Sequence, residues 1–155
     1  NENIFLNFKT PGGRGDQSVV KINNKKINLI DQSYNSNPLS LKSAIKNFDK
    51  IKSKKSNKYL LIGDMLELGS HSKKLHKSIA PIINQTKIDK VFVKGKMASI
   101  IFESISKAKK GRILLNKSQI IELIRKDLNN NDYLMIKASL ATGFNDIVKD
   151  LKGLH

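Results

Sequence analysis

The sequence predicts a doubly wound α/β domain: a mostly parallel sheet with helices on both faces, entered through a β-hairpin. Short, continuous apolar runs recur at Leu60-Leu61-Ile62, Val91-Phe92-Val93, Ile113-Leu114-Leu115 and Leu134-Met135-Ile136. Such runs read as strands buried on both faces, because a half-exposed strand alternates apolar with polar. Between them lie stretches whose apolar residues recur at helical spacing, and strand–helix alternation is the pattern of a parallel sheet with crossover helices. A length of 155 residues suits one globular unit, and 39% hydrophobic residues suffice for its core.

The elements follow in order. Val19-Val20 and Ile27 to Ile30 flank Asn23-Asn24-Lys25-Lys26, a hairpin in which asparagine supplies positive φ. Leu41, Ala44, Ile45, Phe48 and Ile51 form a helical stripe. Asn37 is its N-cap, and Pro38 takes the first helical position, where a missing N–H costs nothing. Leu60 to Ile62 is a strand ending at Gly63, followed by a helix through Leu75, Ile79, Ile82 and Ile83 that Pro81 kinks or splits. Val91 to Val93 is a strand ending near Gly95, and Met97, Ile101, Phe102 and Ile105 are the next helix. Ile113 to Leu115 is a strand; Ile120, Ile121, Leu123, Ile124 and Leu128 form a helix capped by Asn116 or Ser118. Leu134 to Ile136 is the last strand, and Phe144, Ile147, Val148 and Leu151 the last helix. No internal repeat or low-complexity segment interrupts this order.

Composition excludes several classes. With no cysteine there is no disulfide framework and no thiolate metal site. The first residues lack the basic-then-apolar pattern of a signal peptide, and no apolar run reaches membrane-spanning length. The expectation is a soluble, cytoplasmic protein. The chain begins at Asn1 without an initiator methionine, which reads as a fragment or a processed chain. A net charge of +16 has two readings. One is a basic α/β module that binds RNA or another polyanion. The other is compositional drift with abundant Lys, Asn and Ile, favoured because the lysines are scattered and are not interleaved with aromatics.

Doubly wound sheets bind ligands beyond the carboxyl ends of their strands, so the residues after each strand carry the information. Asp31 to Pro38 is dense in hydrogen-bonding side chains and opens a helix, whose free N–H groups suit an anion; an ordinary capped loop has the same composition. Gly63-Asp64-Met65-Leu66-Glu67-Leu68-Gly69 sets two carboxylates between glycines, able to orient an amine or a metal or simply to face solvent. His71 and His76 are five apart, a spacing that does not share one helical face, so no metal site is expected from them. Pro11-Gly12-Gly13-Arg14-Gly15 offers one guanidinium in a Gly-rich turn suited to phosphate, or is a connector. Lys137 to Phe144 carries a cation and two hydroxyls that suit a carboxylate; alternatively Thr142 caps the next helix.

Taken together and in order, these segments resemble the C-terminal domain of the MurF-type ligases of the Mur ligase family. The Gly-Arg-Gly turn is matched at Pro11 to Gly15. The Asp-Asp-Ser-Tyr-Asn-Ala-Asn-Pro segment is matched at Asp31, Ser33, Tyr34, Asn35, Asn37 and Pro38, and the Gly-Asp-Met-x-Glu-Leu-Gly loop in full from Gly63 to Gly69. The late Lys-Gly-Ser-Arg type loop is matched loosely: Lys137-Ala138-Ser139-Leu140 lacks the arginine, and Gln32 replaces an acid. A folylpolyglutamate-synthase-like domain shares the fold, but its Asp-x-x-His-Asn-Pro motif is absent.

The resemblance implies a three-domain cytoplasmic ligase that adds D-alanyl-D-alanine to a UDP-N-acetylmuramoyl-tripeptide through an acyl phosphate. It implies that residues 1–15 are a connector from a central domain and 16–155 the C-terminal domain. It also implies that ATP and magnesium are held mainly by the central domain. This domain then supplies positioning rather than a catalytic group or metal ligand. Arg14, Asp31, Gln32, Tyr34, Asn35 and Asn37 fall on the nucleotide side. Asp64, Glu67, Lys137, Ser139 and Thr142 fall on the dipeptide side. The domain alone, without a P-loop lysine, is expected to be inactive.

Overall fold

The computed structural model describes residues 13–154. Six strands form one sheet in the order β1-β2-β6-β3-β4-β5. They are β1 (Asp16–Ile22), β2 (Lys25–Gln32), β3 (Lys58–Gly63), β4 (Lys90–Lys94), β5 (Lys110–Ile113) and β6 (Tyr133–Lys137). The helices are α1 (Pro38–Asp49), α2 (Ser72–Lys77), α3 (Ala80–Asn84), α4 (Ala98–Ser104), α5 (Lys117–Lys126) and α6 (Phe144–Lys152). The first twelve residues, with Pro11 and Gly12 of the Gly-rich turn and most of the expected connector, lie outside the described residues.

The expected fold class is borne out. Only β1 runs antiparallel, paired with β2 through a two-residue turn whose central residues, Asn23 (φ 48°) and Asn24 (φ 65°), are both left-handed. That geometry matches the twist of the flanking strands, and asparagine tolerates it. The hairpin is not an appendage. Its second strand pairs in parallel with β6, from Asn28 opposite Tyr133 to Gln32 opposite Lys137.

Strand side chains alternate between two cores. Tyr59 and Leu61 of β3, Phe92 of β4 and Leu134 and Ile136 of β6 face α5 and α6. Leu60 and Ile62, Val91 and Val93, and Met135 face α1, α3 and α4. Burial of one such side chain stabilises by about 1.5–3 kcal/mol, which is why these strands read as continuous apolar runs.

Local chemistry explains the helix boundaries. Asn37 accepts from the Ser40 N–H at 2.8 Å, while Ser40 Oγ accepts from the Asn37 N–H at 3.0 Å, a reciprocal cap with Pro38 at the first position. The Pro81 helix is split, not kinked: α2 ends at Lys77, the residue whose carbonyl the proline ring would strike, and α3 starts at Ala80. Asn116, not Ser118, caps α5 by accepting from the Gln119 N–H.

Several boundaries move, and Ile51 falls past the end of α1 while Met97 and Ile105 only flank α4. The strand expected at Ile113 to Leu115 is Lys110–Ile113, because Leu115 is already drawn into the α5 cap through its N–H to Gln119 Oε1. Leu128, expected in the same helix, lies just past its end but is still fully buried.

The sheet has a switch point. From β3 the chain turns to the α3–α4 face, and from β6 it turns to the α6 face. β3 and β6 are neighbours, and the chain leaves them toward opposite faces at their carboxyl ends, the place where such sheets bind ligands.

Candidate functional site

Three strand-end loops meet at Ser139. Its Oγ donates to Ser36 O at 3.2 Å and accepts from the Leu66 N–H at 3.0 Å, while its own N–H donates to Asp64 O at 3.3 Å. Lys137 Nζ donates to Asn35 O at 2.7 Å. The segments after β2, β3 and β6 thus lie side by side, as the convergence of parallel strands requires. Gly63 makes this possible: a Cβ there would run into Phe144 and Ala138.

Lys137 is 3% exposed and has no carboxylate partner among the described residues. Burial pushes its ammonium down to about 8, since desolvation penalises the charged form. Thr142 Oγ1 donates to Ser139 O at 2.6 Å and so braces the loop. It does not cap α6; that position belongs to Gly143, at φ 84°.

The two acids of the Gly63–Gly69 loop separate. Asp64 Oδ1 accepts from the Ala98 N–H at 2.7 Å, capping α4, which has no side-chain cap of its own. Gly95, at φ 130°, leaves the room this carboxylate needs, because a Cβ would overlap it. Glu67 is exposed and left-handed, at φ 62°. A non-glycine residue there carries backbone strain, a feature that clusters at ligand sites.

The Gly-rich turn folds onto the β2 end. Gly15 N donates to Asp31 O at 2.7 Å, Tyr34 N donates to Gly13 O at 3.0 Å, and a Cβ on Gly13 would strike Tyr34. Exposed Arg14 stacks its guanidinium 4.1 Å from the centre of the Tyr34 ring. Gln32 lines a cleft of roughly 200 Å³ with Gly15, Ala44, Phe48 and Met135.

Asp31 is 2% exposed, and both its oxygens are engaged, Oδ1 by the Ser33 N–H and hydroxyl and Oδ2 by Lys152 at 3.3 Å. Asn37 spends its carbonyl oxygen on the α1 cap. In this arrangement Asp31 and Asn37 hold the loop rather than present free acceptors.

Three participants lie outside the residues expected from the sequence. Lys152, on the last helix, bridges Asp16 at 2.7 Å and Asp31. Burial alone would raise the Asp16 carboxyl, but the Lys152 ammonium and the Gly13 N–H outweigh it and hold it below its usual value. Ser36 stands where the resembled motif has alanine, and its hydroxyl is buried without a partner among the described residues. His76 is fully buried against the Gly63–Gly69 loop. A serine in place of alanine was the only one of these signals visible along the chain; the other two depend on residues brought together by folding.

Among the described residues, no three His, Asp or Glu side chains gather as metal ligands. A lysine-lined cleft of about 630 Å³ beside Lys50, Lys52, Lys54, Lys55 and Lys87 lies at the amino ends of β3 and β4, away from Ser139. No helix of the described residues is long and apolar enough to cross a membrane.

Comparison with known proteins finds relatives by sequence and by fold. The chain is 33% identical over 128 residues to the UDP-N-acetylmuramoyl-tripeptide–D-alanyl-D-alanine ligase of Bacillus subtilis, covering 81% of this chain and 28% of that protein. It is 34% identical over 125 residues to the ligase of that name from Buchnera aphidicola (Acyrthosiphon pisum), covering 79% and 26%. The MurF ligase of Thermotoga maritima, solved with ADP, superposes with a TM-score of 0.75 at 23% identity, over 94% of this chain and 31% of that one. A MurF structure from Acinetobacter baumannii also gives 0.75, at 22% identity, over 95% and 32%. At that identity the structures speak for the fold, and the chain spans between about a quarter and a third of these relatives. The family profile described as "Mur ligase, glutamate ligase domain" matches residues 17–140, and the chain belongs to the Mur ligase family.

Proposed function

We propose that this domain serves a full-length cytoplasmic ligase that joins D-alanyl-D-alanine to UDP-N-acetylmuramoyl-tripeptide, and that its part is to close over ATP and present the dipeptide. The observation that carries the reading is the meeting of three strand-end loops at Ser139. In this scheme the ATP γ-phosphoryl passes to the precursor carboxylate. The dipeptide amine then attacks the acyl carbon, and phosphate leaves. Magnesium and the P-loop belong to the central domain, and residues 1–15 to the connection with it. The domain alone releases no phosphate.

Positioning is the chemistry left to this domain. Holding two reactants in register converts a bimolecular encounter into an intramolecular one, worth up to about 7–11 kcal/mol. Closure excludes the water that would hydrolyse the acyl phosphate. On the nucleotide side, Arg14 reaches phosphate from its stack on Tyr34, Gln32 offers its amide to a ribose hydroxyl, and Asn35 lines the loop. Asp31 and Asn37 keep that loop in shape. On the dipeptide side, Lys137, whose ammonium has donors beyond the one given to Asn35, faces the carboxylate. Ser139 holds the three loops in place around it, Thr142 braces them, and Glu67 with the second oxygen of Asp64 steers the amine.

The test is kinetic. In the full-length enzyme, Ser139→Ala and Lys137→Ala are each expected to raise KM for D-alanyl-D-alanine more than KM for ATP. If the dipeptide constant stays in place while the ATP constant climbs, the β6 loop serves the nucleotide instead.

A further inference from the structure

His76 belongs to none of the three loops, yet it holds one of them. It lies on α2 with 0% of its surface exposed, and both ring nitrogens are engaged. Nε2 lies 3.0 Å from the Met65 N–H, and Nδ1 lies 2.7 Å from Ser72 O. A carbonyl oxygen has no proton to give, so Nδ1 carries the hydrogen and donates it. Nε2 is then the bare acceptor that a backbone N–H requires. The two partners together dictate one tautomer and one ring orientation.

The consequence lies in the loop. Three consecutive residues have three separate anchors: Asp64 Oδ1 on the Ala98 N–H, Met65 N–H on His76, and Leu66 N–H on Ser139 Oγ. Glu67 follows, exposed and left-handed at φ 62°. Met65 is itself 1% exposed, so without the imidazole its N–H has no water to turn to. A backbone path of this kind persists only where its surroundings over-determine it.

We propose that His76 is a positioning residue for the amine substrate: through Met65 it holds the Asp64–Glu67 loop against Ser139 before the dipeptide arrives. It touches no substrate. This rests on the functional reading above. The competing role is that of a satisfied core histidine, whose loss would cost stability and nothing else.

Two measurements on the full-length ligase separate these roles. His76→Phe keeps the ring's bulk and removes both polar atoms. His76→Gln places an amide oxygen near Nε2, where it can accept from Met65. His76→Asn places its amide near Nδ1 and leaves Met65 unpartnered. In the first measurement, amide exchange across residues 64–67 is expected to accelerate at least tenfold in the Phe and Asn variants, with β4 unchanged and the Gln variant near wild type. In the second, KM for D-alanyl-D-alanine rises roughly tenfold for Phe and Asn, KM for ATP moves less than twofold, and Gln restores most of the loss. Unchanged exchange in a folded Phe or Asn variant overturns the proposal. So does an equal rise in both constants, or a Gln variant as impaired as Asn. If the wild-type enzyme does not use D-alanyl-D-alanine at all, the functional reading falls, and the exchange measurement still decides whether His76 holds the loop.

Discussion

Lys137 shows how one side chain can depart from its expected setting. A lysine after a strand suggests a solvated cation, yet this one is buried under the Asn35 carbonyl and pushed down to about 8. The linkage has a definite sign. The unfolded chain keeps the proton up to the ordinary lysine value of 10.5, and the folded chain releases it near 8. Between those limits the unfolded state binds more protons, so this group makes stability rise with pH; below about 8 its unfavourable contribution is constant. Lys137→Met is expected to flatten the stability–pH curve across that window, measured by urea denaturation at a series of pH values. Parallel curves for mutant and wild type would mean that the ammonium is not desolvated. Lys152 acts in a different window. Burial alone would lower it, but Asp16 and Asp31 raise it, so its stabilisation is complete below 10.5 and is lost as pH climbs through its higher folded value.

Elements in this domain borrow their ends from one another. Asn37 caps its own helix, a local device that the sequence displays. α4 has only seven residues and no side-chain cap, and the acceptor for the Ala98 N–H comes from Asp64 on the loop after β3. An acid near a helix N-terminus also suits the helix dipole. Asp64→Ala is expected to lower stability by about 0.5–2 kcal/mol, the range measured for lost caps. Asp64→Asn, which keeps an acceptor oxygen, is expected to lose much less. Thermal melts of the two variants check this, and an equal loss in both would point to the charge rather than the hydrogen bond. α5 borrows as well: Lys25, in the hairpin, donates to the carbonyls of Arg125 and Leu128 at its C-terminal end.

At the scale of the whole molecule, the proposed ligand-facing groups gather at the carboxyl ends of β2, β3 and β6, where the loops after these strands meet. Arg14 on the nucleotide side is exposed, stacked on Tyr34 with its guanidinium fork uncommitted to any carboxylate among the described residues. In the full-length enzyme, Arg14→Ala is expected to lower kcat/KM by about tenfold or more, as befits a charge-assisted contact of roughly 1.5–3 kcal/mol. Arg14→Lys is expected to recover little, since a single ammonium cannot fork two phosphate oxygens. Turnover matching wild type in a folded Arg14→Ala enzyme would remove this residue from the site. The charge of +16 bears on the alternative of a polyanion-binding module, because the lysine-lined cleft lies at the amino ends of β3 and β4. RNA binding with a steep salt dependence and a sequence preference would favour that alternative.

The local code was sufficient for much of this. Apolar runs of strand length, apolar stripes of helical period, Asn23-Asn24 for a left-handed turn, Asn37-Pro38 for a helix start and Pro81 for a break each act within a few residues. The element order and fold class could therefore be read along the chain. The strand-end loops were visible for a related reason: their glycines and polar residues interrupt the apolar pattern where the sheet ends. The sequence could not say which of those polar groups were free. Asp31, Asn37 and Asp64 look alike as candidate acceptors, yet Asp31 is claimed by Lys152 from 121 residues away, Asp64 by Ala98 and Asn37 by its own helix. The meeting of Ser36, Leu66 and Ser139 likewise spans residues far apart in the chain. Hydrogen-bond partnership and burial depend on the approach of distant segments, so tertiary structure alone decided which of these side chains are committed to the protein's own loops, and that the imidazole of His76 accepts from the Met65 N–H.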